Sequence, residues 1–170
     1  MGIRRWIQDR PHGLERLWQA LEWTLQKSEP LVSRVGYDRT ATVILPFEDI
    51  GKKLVFNCQT CGQCVLHYTG MTCPMNCPKN LRNGPCGGVR ENGHCEVIPE
   101  RRCVWVQAWE RAQQMPKYGD ELCWVMPPVD RTLQGTSAWA NMMEGRDFDY
   151  PPGWIAVAEL EGEATAVKQT

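Results

Sequence analysis

Cysteine is the residue type that most distinguishes this chain. The 170 residues include nine cysteines, and eight of them fall in one short segment. Thiolates are soft ligands that select zinc ions and iron–sulfur clusters. We therefore predict that the segment binds metal through its clustered cysteines, which are Cys58, Cys61, Cys64, Cys73, Cys77, Cys86, Cys95 and Cys103.

The spacing of the first three cysteines favours an iron–sulfur cluster. Cys58, Cys61 and Cys64 are each separated by two residues. Bacterial ferredoxins use such a run for three ligands of a [4Fe–4S] cluster, and their fourth ligand is a cysteine followed by proline. Cys73 and Cys77 both precede proline. Zinc sites more often use separated pairs of cysteines.

Eight thiolates suffice for two centres with four ligands each. One arrangement uses Cys58, Cys61, Cys64 and Cys77 for the first centre, and Cys73, Cys86, Cys95 and Cys103 for the second. There are two alternatives: one [4Fe–4S] cluster with one zinc site, or a single cluster with several free thiols. Basic residues outnumber acidic ones in this segment and would offset the negative charge of such centres; they are Lys79, Arg82, Arg90, Arg101 and Arg102, against Glu91, Glu96 and Glu100.

Three further residues are weaker candidates for chemistry. His67 and His94 lie inside the segment, but a lone histidine in a loop is more often a surface residue than a ligand. Cys123 stands apart, and we expect it to be a buried structural thiol. The sequence contains no phosphate-binding loop, dinucleotide fingerprint or serine nucleophile elbow. We therefore assign no catalytic residue.

Charge and hydropathy exclude several classes of protein. The formal net charge of -1 argues against a dedicated nucleic-acid binder. No apolar run reaches the roughly 18 residues that a membrane span requires. The N-terminus has two arginines but no apolar segment or cleavage site, so we expect no signal peptide. We expect a cytoplasmic chain, whose cysteines bind metal rather than form disulfides.

The flanking elements are predicted from periodicity. Apolar residues at helical spacing over 12–29 predict an amphipathic helix that ends at Pro30. The β-branched run 41–45 predicts a strand, and 53–56 a second strand leading to the first cysteine. A helix is predicted over 103–115, a short helix over 137–143, and frayed residues from 161 onward.

These elements predict an α+β fold: a small, irregular, metal-stabilised cysteine-rich core with flanking helices and a few short strands. The segment 58–102 is rich in turn residues and poor in apolar ones, so bound metal would supply its folding energy. We divide the chain into 1–50, an N-terminal helix and strand; 51–115, the cysteine-rich domain; and 116–170, an extension rich in proline and tryptophan that docks on a partner.

Several segments resemble one known family, and Asn-Gly-Pro-Cys-Gly-Gly at 83–88 is the most specific of them. The others are 58–64, 72–79, 93–97, 103–105 and 133–139. Together they resemble the C-terminal domain family of methylenetetrahydrofolate reductases. The standalone members of this family are the small subunits of MetF–MetV type reductases. The likeness extends from the N-terminal helix to about residue 148.

The resemblance implies an accessory subunit in one-carbon metabolism. The large partner of such subunits is a TIM-barrel flavoprotein (MetF-like), which carries FMN or FAD and reduces methylenetetrahydrofolate to methyltetrahydrofolate. The small subunit holds iron–sulfur, or in some cases zinc, on the clustered cysteines and assists electron supply from a donor that the sequence does not identify. A structural zinc-binding docking module and an independent ferredoxin-like carrier are the alternative functions.

Overall fold

The computed structural model describes residues 3–154, and the predictions for 161–170 lie outside them. Five α-helices form the framework: α1 (Ile3–Gln8), α2 (Pro11–Val35), α3 (Tyr37–Phe56), α4 (Val104–Ala112) and α5 (Ala138–Glu144). Four short 3-10 turns occur at Pro74–Asn76, Gly119–Cys123, Arg131–Leu133 and Arg146–Phe148. The cysteine-rich segment between α3 and α4 is otherwise irregular.

The predicted α+β fold is wrong. In the part of the chain that the structure describes, the β structure is limited to one isolated bridge between His94 and Arg102. Both predicted strands, 41–45 and 53–56, lie inside α3. Short apolar runs fit a strand or a helix equally well, and these two belong to one helix interrupted in sequence by Pro46.

Helix α2 continues beyond the predicted end at Pro30. It runs to Val35 and stops at Gly36, whose φ of 101° ends the helical conformation. Pro30 removes one backbone hydrogen bond from the helix. Val32, which follows it in the last turn, is buried, and its packing offsets the loss of that bond. The predicted helices near 103–115 and 137–143 are confirmed as α4 and α5. The Ser137 side chain caps α5 by accepting a hydrogen bond from the Ala140 N–H.

A small apolar core joins the three parts of the chain. Trp18 comes from α2, Leu66 and Met71 from the cysteine-rich segment, and Met115 and Tyr118 from the region after α4. Helix α3 packs against α1, α2 and α5. Among residues 3–154, no helix has both the length and the apolar character that crossing a bilayer requires. The core therefore holds the cysteine-rich segment against the N-terminal helices.

Candidate metal centre

The eight clustered cysteines line two separate pockets, four in each. The first pocket is lined by Cys58, Cys61, Cys64 and Cys73. The second pocket is lined by Cys77, Cys86, Cys95 and Cys103. All eight are free thiols. The division into two sets of four agrees with the ligand count that the sequence predicts for two centres.

The membership of the two sets differs from the arrangement considered from sequence. Cys73 belongs to the first pocket and Cys77 to the second, which is the reverse of that arrangement. The 3-10 turn Pro74–Asn76 lies between them, with Cys73 before the turn and Cys77 after it. Since proline follows each of these cysteines, the sequence pattern does not distinguish them, whereas the turn directs them to different pockets.

Helix α3 and the cysteine loop form opposite walls of the first pocket. Leu45, Glu48, Lys52 and Phe56 line it from α3 at helical spacing. On the loop side, Gly62 has a φ of +78°, and a Cβ there would lie 2.3 Å from the carbonyl oxygen of Leu133. Glycine is therefore required for both the backbone conformation and the close approach of the 3-10 turn Arg131–Leu133.

Backbone N–H groups point at the sulfur atoms of the first pocket. The Thr60 N–H donates to Cys58 Sγ over 3.3 Å. The N–H groups of Leu66 and Met75 donate to Cys64 and Cys73 and favour their thiolate forms. Such bonds stabilise thiolates in metal and iron–sulfur sites.

Burial keeps these thiols protonated in the absence of a cation. It raises the pKa of Cys58 and Cys64, and it raises the pKa of Cys73 to about 12, with neighbouring cysteines adding to the effect. Metal ligation requires the thiolate, so binding releases these protons. Burial therefore favours the neutral thiol at Cys58, Cys64 and Cys73 until a cationic group is bound.

A buried ion pair borders the first pocket. Lys52 is 6% exposed, and its Nζ lies 2.5 Å from Glu48 Oε1. The other oxygen of Glu48 accepts a hydrogen bond of 2.5 Å from Ser137 Oγ. Burial alone would lower the pKa of Lys52, but the nearby Cys64 and Glu48 raise it above its usual value. Lys52 therefore remains an ammonium beside the sulfur atoms.

Arg82 is a second buried cation, and it lies behind the pocket wall, hydrogen-bonded to the lining residue Gln63. The residues that the structure describes offer it no carboxylate partner within ion-pair distance. It is 7% exposed, one guanidinium nitrogen donates to the Gln63 carbonyl at 3.3 Å, and its buried Nε has no hydrogen-bond partner there. Burial lowers the pKa of Arg82, whereas Cys61, Cys64 and Cys73 act to raise it. A buried cation without a partner is costly. The Arg82 guanidinium and the four cysteines therefore fit a metal group that thiolates bind and that carries a net negative charge.

The second pocket is bordered by the β-bridge between His94 and Arg102 and is flanked by exposed charges. Near that bridge the Cys95 N–H donates to Arg101 O and the Cys103 N–H to Gly93 O, both at 2.9 Å. Lys79 pairs with Glu96, whose carboxylate also lies 3.5 Å from Cys86 Sγ. These contacts involve Cys86, Cys95 and Cys103, which line the pocket together with Cys77.

Within residues 3–154, no group of three or more histidine, cysteine or acidic side chains is arranged to hold a metal ion directly. The cysteines of each pocket surround a shared space instead. Metal binding by the eight cysteines therefore stays a prediction, supported by their grouping and by the buried cations at the first pocket.

The remaining candidates lie outside both pockets. His67 is buried, with its ring 5.0 Å from that of Trp18 and 3.7 Å from that of Tyr68, and burial lowers its pKa to about 4. His94 Nδ1 lies 2.7 Å from Pro99 O in an exposed position. The expectation that Cys123 is buried is wrong, because this residue is exposed at the end of a 3-10 turn.

Sequence reasoning missed Glu48 and Lys52. Their spacing of four residues is that of a helical ion pair, but the signal is lost once 41–45 and 53–56 are assigned to strands. Arg82 was included only as one basic residue among five. Its position depends on the long-range contact with Gln63, which no local pattern reveals.

The comparisons with known proteins identify one family. A family model described as Methylene-tetrahydrofolate reductase C terminal matches residues 37–132. This span includes α3, both cysteine pockets and α4. No curated protein and no solved structure matches the chain. The resemblance seen in the cysteine segments is thereby confirmed.

Proposed function

Because the chain belongs to the methylene-tetrahydrofolate reductase C-terminal family, we propose that it is an accessory iron–sulfur subunit of a methylenetetrahydrofolate reductase. The observation that carries this proposal is the division of eight cysteines into two pockets of four inside the matched span. Four thiolates are the usual ligand set of a [4Fe–4S] cluster.

The first pocket is the proposed site of a [4Fe–4S] cluster. Its ligands are Cys58, Cys61 and Cys64, in the spacing of a ferredoxin run, and Cys73, which precedes proline as the fourth ferredoxin ligand does. Such a cluster supplies one-electron transfer when bound. The chain's own contribution is to hold the four sulfur atoms, direct backbone N–H groups at them and place Lys52 and Arg82 nearby.

The second pocket is proposed to hold a second cluster on Cys77, Cys86, Cys95 and Cys103. These cysteines lack the paired spacing that is common in structural zinc sites. Zinc in this pocket is the alternative, because four thiolates also suit zinc. With zinc here, the pocket would serve the fold of the segment rather than electron supply.

The flavin and the folate substrate are proposed to bind a partner subunit. A TIM barrel needs eight parallel strands, whereas residues 3–154 contain five helices and a single β-bridge. In this proposal the partner is a TIM-barrel flavoprotein that carries FMN or FAD, and the chain assists its electron supply from a donor still to be identified. The protein sets the distance between the redox centres and the reduction potential of the cluster, while the cofactors perform the chemistry.

Anaerobic purification of the full chain tests the proposal. Iron, acid-labile sulfide and zinc are quantified per chain, and the reduced protein is examined by electron paramagnetic resonance. Iron and sulfide are expected in equal amounts, with a visible absorption that Cys58→Ser diminishes and Cys123→Ser does not. A colourless protein with zinc in both pockets would instead support the structural docking module, and a protein without either metal would refute both functions.

A further inference from the structure

Resting on the proposed function, the structure assigns Arg82 a positioning role: its charge sets the reduction potential of the group held in the first cysteine pocket. Arg82 contributes no ligand and lies outside the catalytic chemistry. It acts through a fixed positive charge that is hydrogen-bonded to Gln63, a lining residue of this pocket between Cys61 and Cys64 in sequence.

The position of Arg82 is fixed by the cysteine loop itself. Its guanidinium donates to the carbonyl of Gln63, which lies between Cys61 and Cys64 in sequence. Gln63 is fully buried, and its side-chain oxygen accepts a hydrogen bond of 2.8 Å from the Asp130 N–H. Because the contact is to the backbone of the ligand loop, the charge and the sulfur atoms keep a constant separation.

The charge of Arg82 is not neutralised by a carboxylate in the part of the chain that is described, and this distinguishes it from Lys52. The Lys52 ammonium is paired with Glu48 at 2.5 Å, so much of its field is cancelled locally. Arg82 has no such ion pair among the described residues, and Cys61, Cys64 and Cys73 each act more than the Asp147 carboxylate to raise its pKa. The sulfur atoms are therefore the main negative partners of this guanidinium.

The second pocket has no comparable buried charge among the residues described. Its basic neighbours are Lys79 and Arg102, each about 40% exposed or more and paired with Glu96 and Glu110, and the half-buried Arg101. Solvent and salt screen exposed charges far more than buried ones. The effect of a fixed cation should thus be confined to the first pocket.

Electrostatics gives the direction of the effect. Reduction adds a negative charge to the group in the pocket, and a buried cation stabilises the reduced form more than the oxidised form. The net charge around a cluster is one of the factors that set its potential. Arg82 therefore makes the group in the first pocket easier to reduce, and removing its charge shifts the potential to more negative values.

A redox titration of the full, anaerobically purified chain, followed by electron paramagnetic resonance, tests the inference. Arg82→Gln should shift the midpoint potential of one centre to a more negative value and leave the other unchanged. Arg82→Lys should return the potential toward that of the unmodified chain, and Arg34→Gln, at an exposed position of α2 away from both pockets, should alter neither centre. Unchanged potentials in Arg82→Gln with iron content intact, or an equal shift in Arg34→Gln, would overturn the inference.

Two further results distinguish a failure of this inference from a failure of the proposed function and from a loss of iron in the variant. If the unmodified chain binds no iron, the proposed function fails before Arg82 is tested. If Arg82→Gln loses its iron, Arg82→Lys decides: iron and potential like those of the unmodified chain support the role of charge, and loss of iron in both variants shows a purely structural role and overturns the inference.

Discussion

Lys52 Nζ and Glu48 Oε1 lie 2.5 Å apart, one helical turn from each other, on the buried face of α3. The pair joins two parts of the molecule. Glu48 also accepts a hydrogen bond from Ser137 at the start of α5, and the Lys52 ammonium lies 5.1 Å from the centre of the Trp139 ring. The same two residues line the first cysteine pocket. Packing of α5 on α3 is thus coupled to the wall of this pocket.

Breaking this pair should be costly, because it leaves one buried charge without a partner. Glu48→Gln is expected to lower the free energy of unfolding by about 3–5 kcal/mol. The measurement is denaturant unfolding followed by tryptophan fluorescence. Lys53→Gln is the matched control, since Lys53 pairs with Asp49 at an exposed position, where such a pair contributes about 0–1 kcal/mol. Equal effects of the two substitutions would contradict the assignment of the buried pair.

Gly62 should tolerate no side chain. Gly62→Ala places a Cβ 2.3 Å from Leu133 O and also requires a positive φ, so we expect a loss of stability of roughly 2–4 kcal/mol and less iron per chain. Gly135→Ala is the control, because Gly135 has a φ of +86° but no atom within 4 Å of an added Cβ. It should cost only about 1–2 kcal/mol. Comparable losses in both variants would show that the contact with Leu133 contributes little.

Stability should fall in mild acid because of His67. Its pKa is lowered to about 4 by burial, with Lys117 acting in the same direction and Glu22 opposing it. The unfolded chain therefore binds a proton before the folded one, and stability is lost as the pH falls from about 6.5 toward 4. The full loss is roughly 3 kcal/mol.

His67→Phe tests the acid prediction. The phenyl ring keeps the stacking on Trp18 and Tyr68 but binds no proton, so the variant should lose less stability between pH 7 and pH 4.5 than the unmodified chain. Glu121, whose Oε2 lies 3.9 Å from His67 Nε2, is present in both proteins. His94→Gln, at an exposed position, should retain the acid sensitivity. An unchanged pH profile in His67→Phe would refute this assignment.

Loss of a ligand in the second pocket should loosen only the segment around it. Cys95→Ser is expected to reduce bound metal and to speed amide hydrogen exchange over 77–103, a region with few buried apolar side chains of its own. Helices α2 and α3 should keep their protection, because their packing does not involve this pocket. Cys123→Ser is the control, and exchange unchanged in Cys95→Ser would argue that metal does not stabilise the segment.

The grouping of the cysteines and the surrounding fold were both only partly predictable from sequence, and metal binding by the cysteines stays a prediction. The number and spacing of the thiols are local information, and they led to two sets of four, but with Cys73 and Cys77 in the wrong sets. The assignment of 41–45 to a strand failed because its β-branched residues occupy a helix whose exposed apolar residues Val43, Phe47, Ile50 and Leu54 repeat at helical spacing. That period spans both predicted strands, so it becomes visible only when they are considered as one element.

The exchange of Cys73 and Cys77 between the pockets was not predictable for a different reason. Both cysteines precede proline, and their separation depends on the turn between them. The burial of Arg82 likewise depends on a contact with a residue 19 positions earlier. Long-range contacts of this kind produce no recognisable pattern in the sequence. Local features do, as the N-cap residue Ser137 shows.

The short turn Pro74–Asn76 limits how independent the two pockets are. Four peptide units extend at most about 14 Å, so the Cα atoms of Cys73 and Cys77 stay within that span whatever the rest of the chain does. Filling one pocket fixes one end of this tether and reduces the conformational freedom of the other end. Loading of the first site should therefore restrict where Cys77 can lie and favour loading of the second.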